Sequence, residues 1–335
     1  MVVLEVIGVT AELSDMRYDV VVIGGGPAGL NGALMLARSR RSVVVIDDGA
    51  PRNAPAAAVH GLFARDGTPP AELYERGRAE VRSYGGEVAY GTVVAVTREL
   101  DELVVELDDG RRVVARRVLV ATGLVDQLPE ISGLRAPWGR DVVHCPYCHG
   151  WEVRDRAIGV LATGPMAMHQ ALLFRQLTDD LTLFTHTAPP LDEEDLAKLA
   201  ARSIEVVNGE VRGIVTVNDR IVGVRLRDGT VIAREVLTVA SRTVPRAEFL
   251  ASLGLRPIAH PSGLGDYIPA DPTGRTDAPG VWVAGNVTDL SAQVGAAAAA
   301  GAATAAQINA DLVEEDTQRA LEVTSGRGQV GVPLK

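Results

Sequence analysis

The sequence predicts an α/β fold of two Rossmann-like, dinucleotide-binding domains, the second inserted into the first. Three observations predict it. Residues 18–23 are a β-branched run, as expected of a strand buried on both faces, and lead into Gly24-Gly25-Gly26-Pro27-Ala28-Gly29 and a helical pattern. The strand–turn–helix pattern restarts at residue 157, beyond Pro129. A late strand at 281–284 and a long helix from Val294 then return to the first unit. The expected division is a discontinuous domain of residues 17–127 and 247–314, an insert of 128–246, and flexible ends at 1–16 and 315–335.

The helix after the glycine turn is read from Leu30, Ala33, Leu34 and Ala37, and a second strand at 42–46 closes on Asp47. That completes a β–α–β unit of about 30 residues. A helix is expected over 70–84, then strands over 93–96, 103–107 and 112–115, and a separate buried strand over 118–121. In the insert, a strand at 157–161 meets Ala162-Thr163-Gly164-Pro165-Met166-Ala167 and a helix to about residue 177. A strand at 181–184, a helix over 192–201, and strands at 204–207, 211–217, 221–226 and 236–240 follow. Near Pro245 the chain returns to the first domain. The alanine-rich stretch 296–306 reads as a close-packed helix, and the polar tail after Glu314 as mobile.

The 335 residues are 47% hydrophobic and 23% charged, the balance of a globular protein with room for two cores. A net charge of −10 without any Lys/Arg cluster argues against nucleic acid or an anionic membrane as partner. Residues 1–14 carry two glutamates and no basic n-region, so they read as an extension rather than a secretory signal. No apolar run reaches the ~18–20 residues that span a bilayer. The only two cysteines lie three positions apart, which excludes a disulfide scaffold and favours a cytoplasmic redox or metal site.

Gly24-x-Gly26-x-x-Gly29 alone says little, but strand, helix and terminal acid surround it. Such glycines let the backbone, with Pro27 and Ala28, turn sharply against a pyrophosphate at a helix N-terminus. Asp47 is placed for the adenosine ribose hydroxyls. Cys145-Pro146-Tyr147-Cys148 can close a small disulfide if Cys145 opens a helix, where the local dipole favours a thiolate. Zinc is the competing reading, given His144 and His149, but no second Cys/His knuckle supplies four ligands.

The order of glycine fingerprint, Ala121-Thr122-Gly123 turn, CxxC within an inserted dinucleotide-type domain and C-terminal Gly285-Asn286 turn resembles low-molecular-weight thioredoxin reductases from about residue 17 to 312. The resemblance implies FAD as cofactor, with a contact at Gly285-Asn286, where the family usually has Gly-Asp. It implies that Arg52, Asn53 and His60 lie along the cofactor, and that Gln293 and Val294 open a helix aimed at the flavin. By the same resemblance Cys148 faces the flavin C4a as the charge-transfer thiolate, and Cys145 exchanges with substrate. His149 stands where the family carries its acid/base carboxylate, with His144 as second candidate. Tyr147, Trp138 and Trp151 are candidates for the substrate entrance, Trp151 equally for core packing.

The insert departs from the reductases. Its loop is Ala162-x-Gly164-x-x-Ala167, and the next strand ends in Thr185-His186-Thr187-Ala188-Pro189-Pro190, with no arginine for a 2′-phosphate and four acids at 192–195. The nicotinamide site therefore reads as degenerate, unless NADPH binds through other residues. The chain is similar to the FAD-dependent dithiol oxidases of natural-product pathways of the gliotoxin, romidepsin and holomycin type. That similarity implies oxidation of a small dithiol with O2 as acceptor, in a homodimer. The alternatives are a disulfide reductase serving thioredoxin, with NADPH or a ferredoxin-like donor, and a non-enzymatic flavin sensor or zinc-stapled module.

Overall fold

The computed structural model describes residues 16–327 except Pro165. The expectations for 1–15 and 328–335 lie outside the described residues. In chain order the elements are β1 (Met16–Ile23), α1 (Pro27–Arg38), β2 (Val43–Asp47), α2 (Pro70–Ser83), β3 (Glu87–Tyr90), β4 (Val93–Glu99), β5 (Glu102–Leu107), β6 (Arg112–Val120) and β7 (Leu124–Gln127). The insert follows with β8 (Val142–Val143), α3 (Pro146–His149), β9 (Ile158–Leu161), α4 (Ala167–Phe174), β10 (Leu181–Phe184), α5 (Glu193–Ala201) and β11 (Glu205–Val207). It continues through β12 (Val211–Val217), β13 (Arg220–Leu226), β14 (Val231–Ile232) and β15 (Val236–Val239). The chain then returns through β16 (Arg242–Pro245), β17 (Ile258–Ala259), β18 (Asp266–Tyr267), β19 (Val281–Val283) and α6 (Val294–Arg327).

The first sheet has the order β3-β2-β1-β6-β5-β4, with β19 pairing β6. β2, β1, β6 and β19 run parallel, so both faces need cover, and every residue of β2 is buried. One face packs on α1 and α6, the other on the segment around Leu250 and Ile268. α1 and α6 touch closely: a Cβ on Gly301 would stand 1.9 Å from the Ala28 carbonyl oxygen, which explains the small residues of the alanine-rich helix.

The second sheet, β11-β10-β9-β15-β8, is parallel throughout. The antiparallel pair β7–β16 joins the two sheets. Both crossings between them therefore pass through one short ribbon. Among the described residues no helix is long and apolar enough to cross a membrane.

Two expectations need correction. The strands read separately at 112–115 and 118–121 are the single strand β6. Arg116 and Arg117 look like a polar break, but Asp19, Asp311, Glu315 and Asp316 receive their guanidinium groups. The mobile tail expected from residue 315 is instead helical to Arg327. The same acids explain this, because Glu315 and Asp316 are anchored by arginines of the sheet and by Arg41 beside it. Smaller differences are α4 ending at Phe174 and Asp192 serving as the N-cap of α5, where its carboxylate accepts the Asp195 N–H at 2.7 Å.

Candidate active site

The β1–α1 turn is tight because three glycines each meet a different constraint. Gly24 has φ +106°, and a Cβ there would lie 2.5 Å from the Ala121 carbonyl oxygen. A Cβ on Gly29 would lie 1.9 Å from the Gly24 carbonyl oxygen, so α1 can seat on the turn only with glycine there. Gly26, the N-cap of α1 ahead of Pro27, has no atom within 4 Å of its Cβ position. The turn is closed on the protein side and open on the other, which fits a pyrophosphate. Asp47 accepts the Gly25 N–H at 3.1 Å through one carboxylate oxygen, which leaves the second for a ribose.

A cavity of about 770 Å³ runs from this turn to the cysteine pair. Its walls include Gly24, Gly26, Pro27, Ala28 and Asp47 at one end, with Ala121, Thr122 and Gly123 beside them. Asn286, Gln293 and Val294 line it at the start of α6. Gly29 and Gly285 do not line it; they act by packing, and a Cβ on Gly285 would come within 2.8 Å of the Ala28 Cβ. The Asn286 amide donates to the Asp289 and Ala292 carbonyls at 2.9 and 2.8 Å, so it braces the turn into α6. An aspartate could not make those two bonds. The glycine turn, the α6 N-terminus and the cavity between them fit an FAD, with an Asp47 carboxylate oxygen available at the end where its ribose would lie.

Arg52, Asn53 and His60 also line the cavity, but each already has a protein partner. Arg52 forms a bidentate pair with Asp126 of β7, both bonds 2.7 Å, and Ser241 donates to the same carboxylate at 2.6 Å. Burial alone would raise the Asp126 pKa, but the bonds and charge of Arg52 hold it below the ordinary carboxylate value. Asn53 accepts the Tyr74 hydroxyl at 2.6 Å. His60 lies 3.4 Å from Glu152 and 3.5 Å from Asp66. It thereby links the first domain to the turn after the cysteines.

Cys145 and Cys148 are joined in a disulfide on the cavity wall, with Cα atoms 5.3 Å apart. Cys145 is the N-cap of α3, and its sulfur accepts the Cys148 N–H at 3.1 Å. Gly150 closes the turn: a Cβ there would meet the Pro146 carbonyl oxygen at 2.2 Å. His144 stacks on Trp138, with ring centroids 5.6 Å apart. Withdrawal from water, then the Arg52 charge, brings its pKa down to about 4. His149 lines the cavity, and neither ring nitrogen has a hydrogen-bond partner. Burial lowers its pKa, the nearby Glu152 carboxylate opposes that, and His60 adds to it.

His144 gives the acid limb of stability a predictable sign. Its folded pKa lies below the unfolded value of ~6.5, so the unfolded chain takes up a proton first. Stability is full above pH ~6.5 and falls as the pH drops toward 4. His144→Phe, which keeps the stack on Trp138, is expected to recover roughly 3 kcal/mol of that loss. Urea unfolding of both proteins at pH 7 and pH 4.5 checks it.

Tyr147 and Trp138 line the cavity, whereas Trp151 is 67% exposed beneath the Arg154 guanidinium and belongs to neither cavity nor core. Several lining residues had no mark in the sequence. Asp126 and Ser241 come from the interdomain ribbon and its approach, and His169, Gln170 and Leu173 come from α4. At the end of β10, the His186 ring accepts the Val211 N–H at 3.1 Å. Arg212, nearby in sequence, pairs with Glu210 at 3.3 Å.

The family described as pyridine nucleotide-disulphide oxidoreductase matches residues 18–305. Thioredoxin reductase aclD of Aspergillus oryzae is 31% identical over 289 residues, 80% of this chain and 88% of that protein. The crystal structure of HlmI is similar with a TM-score of 0.86 and 45% identity, covering 93% of this chain and 97% of that one. An oxidoreductase from Agrobacterium tumefaciens has a TM-score of 0.83 and 35% identity, over 89% of this chain and 99% of that one. The chain belongs to the pyridine nucleotide-disulphide oxidoreductase family, as an FAD-dependent oxidoreductase of the thioredoxin-reductase type that acts on disulfides.

Proposed function

We propose that this protein oxidises a small-molecule dithiol to an intramolecular disulfide through Cys145 and Cys148, with O2 as the final acceptor and H2O2 as product. The observation that carries the direction is the end of β10. The residues 185–191 offer no guanidinium to a 2′-phosphate, and His186 is turned to the backbone of β12. The similarity to HlmI at 45% identity supports the same reading. A thioredoxin-type reductase is the second reading, favoured by the name of the relative aclD. The functional unit proposed is a cytoplasmic homodimer.

One substrate thiolate attacks Cys145, the Cys145–Cys148 bond breaks, and Cys148 leaves as a thiolate. The second substrate sulfur then attacks the sulfur bound to Cys145, which forms the product disulfide and frees the Cys145 thiol. Two electrons thus pass from substrate to the pair. An FAD held by the glycine turn, Asp47 and the start of α6 would supply the two-electron chemistry that returns the pair to the disulfide at the expense of O2. The Cys148 N–H near the Cys145 sulfur and the α3 turn keep the two sulfurs within reach of each other.

His149 is the residue proposed to take the substrate thiol proton. Its ring lines the cavity shared with the disulfide and neither nitrogen has a partner, whereas the low pKa of His144 makes that ring a poor base. Because burial lowers the His149 pKa, the rate is expected to fall only below pH ~6.5, as the ring becomes protonated. His149→Asn is expected to lower kcat/KM for a dithiol by about a hundredfold and to remove that acid limb, with FAD retained. A pH–rate profile with an unchanged limb would sink the assignment. The function itself is tested by turnover with a small dithiol: one O2 consumed and one H2O2 formed per disulfide are expected, and oxidation that requires another acceptor would contradict it.

A further inference from the structure

α4 begins where a reductase of this type has its second phosphate turn, yet one face of it lines the cavity that holds the cysteine pair. Gln170 on that face is 7% exposed. Its amide nitrogen donates to the His144 carbonyl at 2.9 Å, one residue before Cys145. That bond fixes which end of the amide is which, since the reverse orientation would set two acceptors against each other. The amide oxygen is buried without any hydrogen-bond partner. A buried acceptor left empty is costly, because it has given up water and gained nothing, so it marks a group waiting for a donor.

The disulfide offers no donor, because neither sulfur carries a proton. Opening it creates one. We propose that Gln170 is a positioning residue for the redox pair, whose amide oxygen accepts the Cys145 S–H of the reduced form while its amide nitrogen holds the His144 carbonyl. On reduction the Cys145–Cys148 bond breaks, two electrons enter the pair, one proton stays on Cys145, and the other goes to His149 or to solvent. The empty acceptor then penalises only the oxidised form and favours reduction of the pair by substrate. The inference rests on the redox role of the cysteines and not on the final acceptor.

The test equilibrates wild-type and Gln170→Met holoenzyme anaerobically in graded glutathione buffers, then alkylates and weighs the protein to count free thiols. The variant keeps length and burial but has no amide acceptor. Its dithiol/disulfide equilibrium is expected to move about tenfold toward the disulfide, which is about 30 mV more negative for a two-electron couple. An equilibrium unchanged within about twofold would overturn the proposal. If the variant does not fold, the S–H stretch of reduced wild-type holoenzyme decides: a hydrogen-bonded thiol at Cys145 supports it, and a free-thiol band overturns it. Neither readout depends on oxygen, so failure here leaves the oxidase reading standing.

Discussion

Cys148→Ser is expected to lower dithiol turnover by at least about a thousandfold while leaving FAD bound, because the variant can start an exchange but cannot finish it. Cys145 remains at the N-cap of α3 on the cavity wall, so a small disulfide reagent should be captured there as a stable mixed disulfide. Cys145→Ser is expected to lose activity equally but to capture little, since Cys148 is the sulfur proposed to face the flavin. Mass spectrometry after incubation with a small disulfide, beside a turnover assay, separates the two. Equal capture by both variants would contradict the division of roles while leaving the redox role of the pair intact.

The fingerprint glycines should separate folding from cofactor binding. Gly26→Ala adds a methyl where the protein has no atom within 4 Å, so the fold is expected to be kept. The same methyl stands on the open side of the turn and would displace the pyrophosphate. FAD affinity is expected to fall by at least about a hundredfold. Gly29→Ala instead drives a Cβ to 1.9 Å from the Gly24 carbonyl oxygen, so α1 must lift from β1. That variant is expected to lose about 3 kcal/mol or more of stability as well as cofactor. Flavin content and urea unfolding of the cofactor-free proteins measure both effects.

The parts of the fold that are legible in sequence are those fixed by local chemistry. The β-branched run of β1, the glycine turn and the terminal Asp47 belong to one short stretch, so periodicity alone reveals them. The cysteine spacing is equally local. What the sequence hides depends on residues far apart in the chain. The two arginines at 116 and 117 look like the end of a strand until acids nearly 200 residues later neutralise them. The same pairing keeps α6 helical past residue 315. Arg52 reads as a cofactor contact, and its partner Asp126 is found only once the interdomain ribbon is built. Gln170 carries no motif at all, and its interest lies in an atom left without a partner.

Which molecule reduces the protein separates an oxidase from a reductase, and anaerobic flavin spectra answer that most directly. Excess NADPH is added to one sample of holoenzyme and a small dithiol to another. The dithiol is expected to bleach the flavin and NADPH to leave it oxidised, with colour returning and peroxide appearing when air is admitted to the dithiol sample. Rapid bleaching by NADPH would contradict the oxidase reading, and the protein would then be read as a disulfide reductase with a working nicotinamide site.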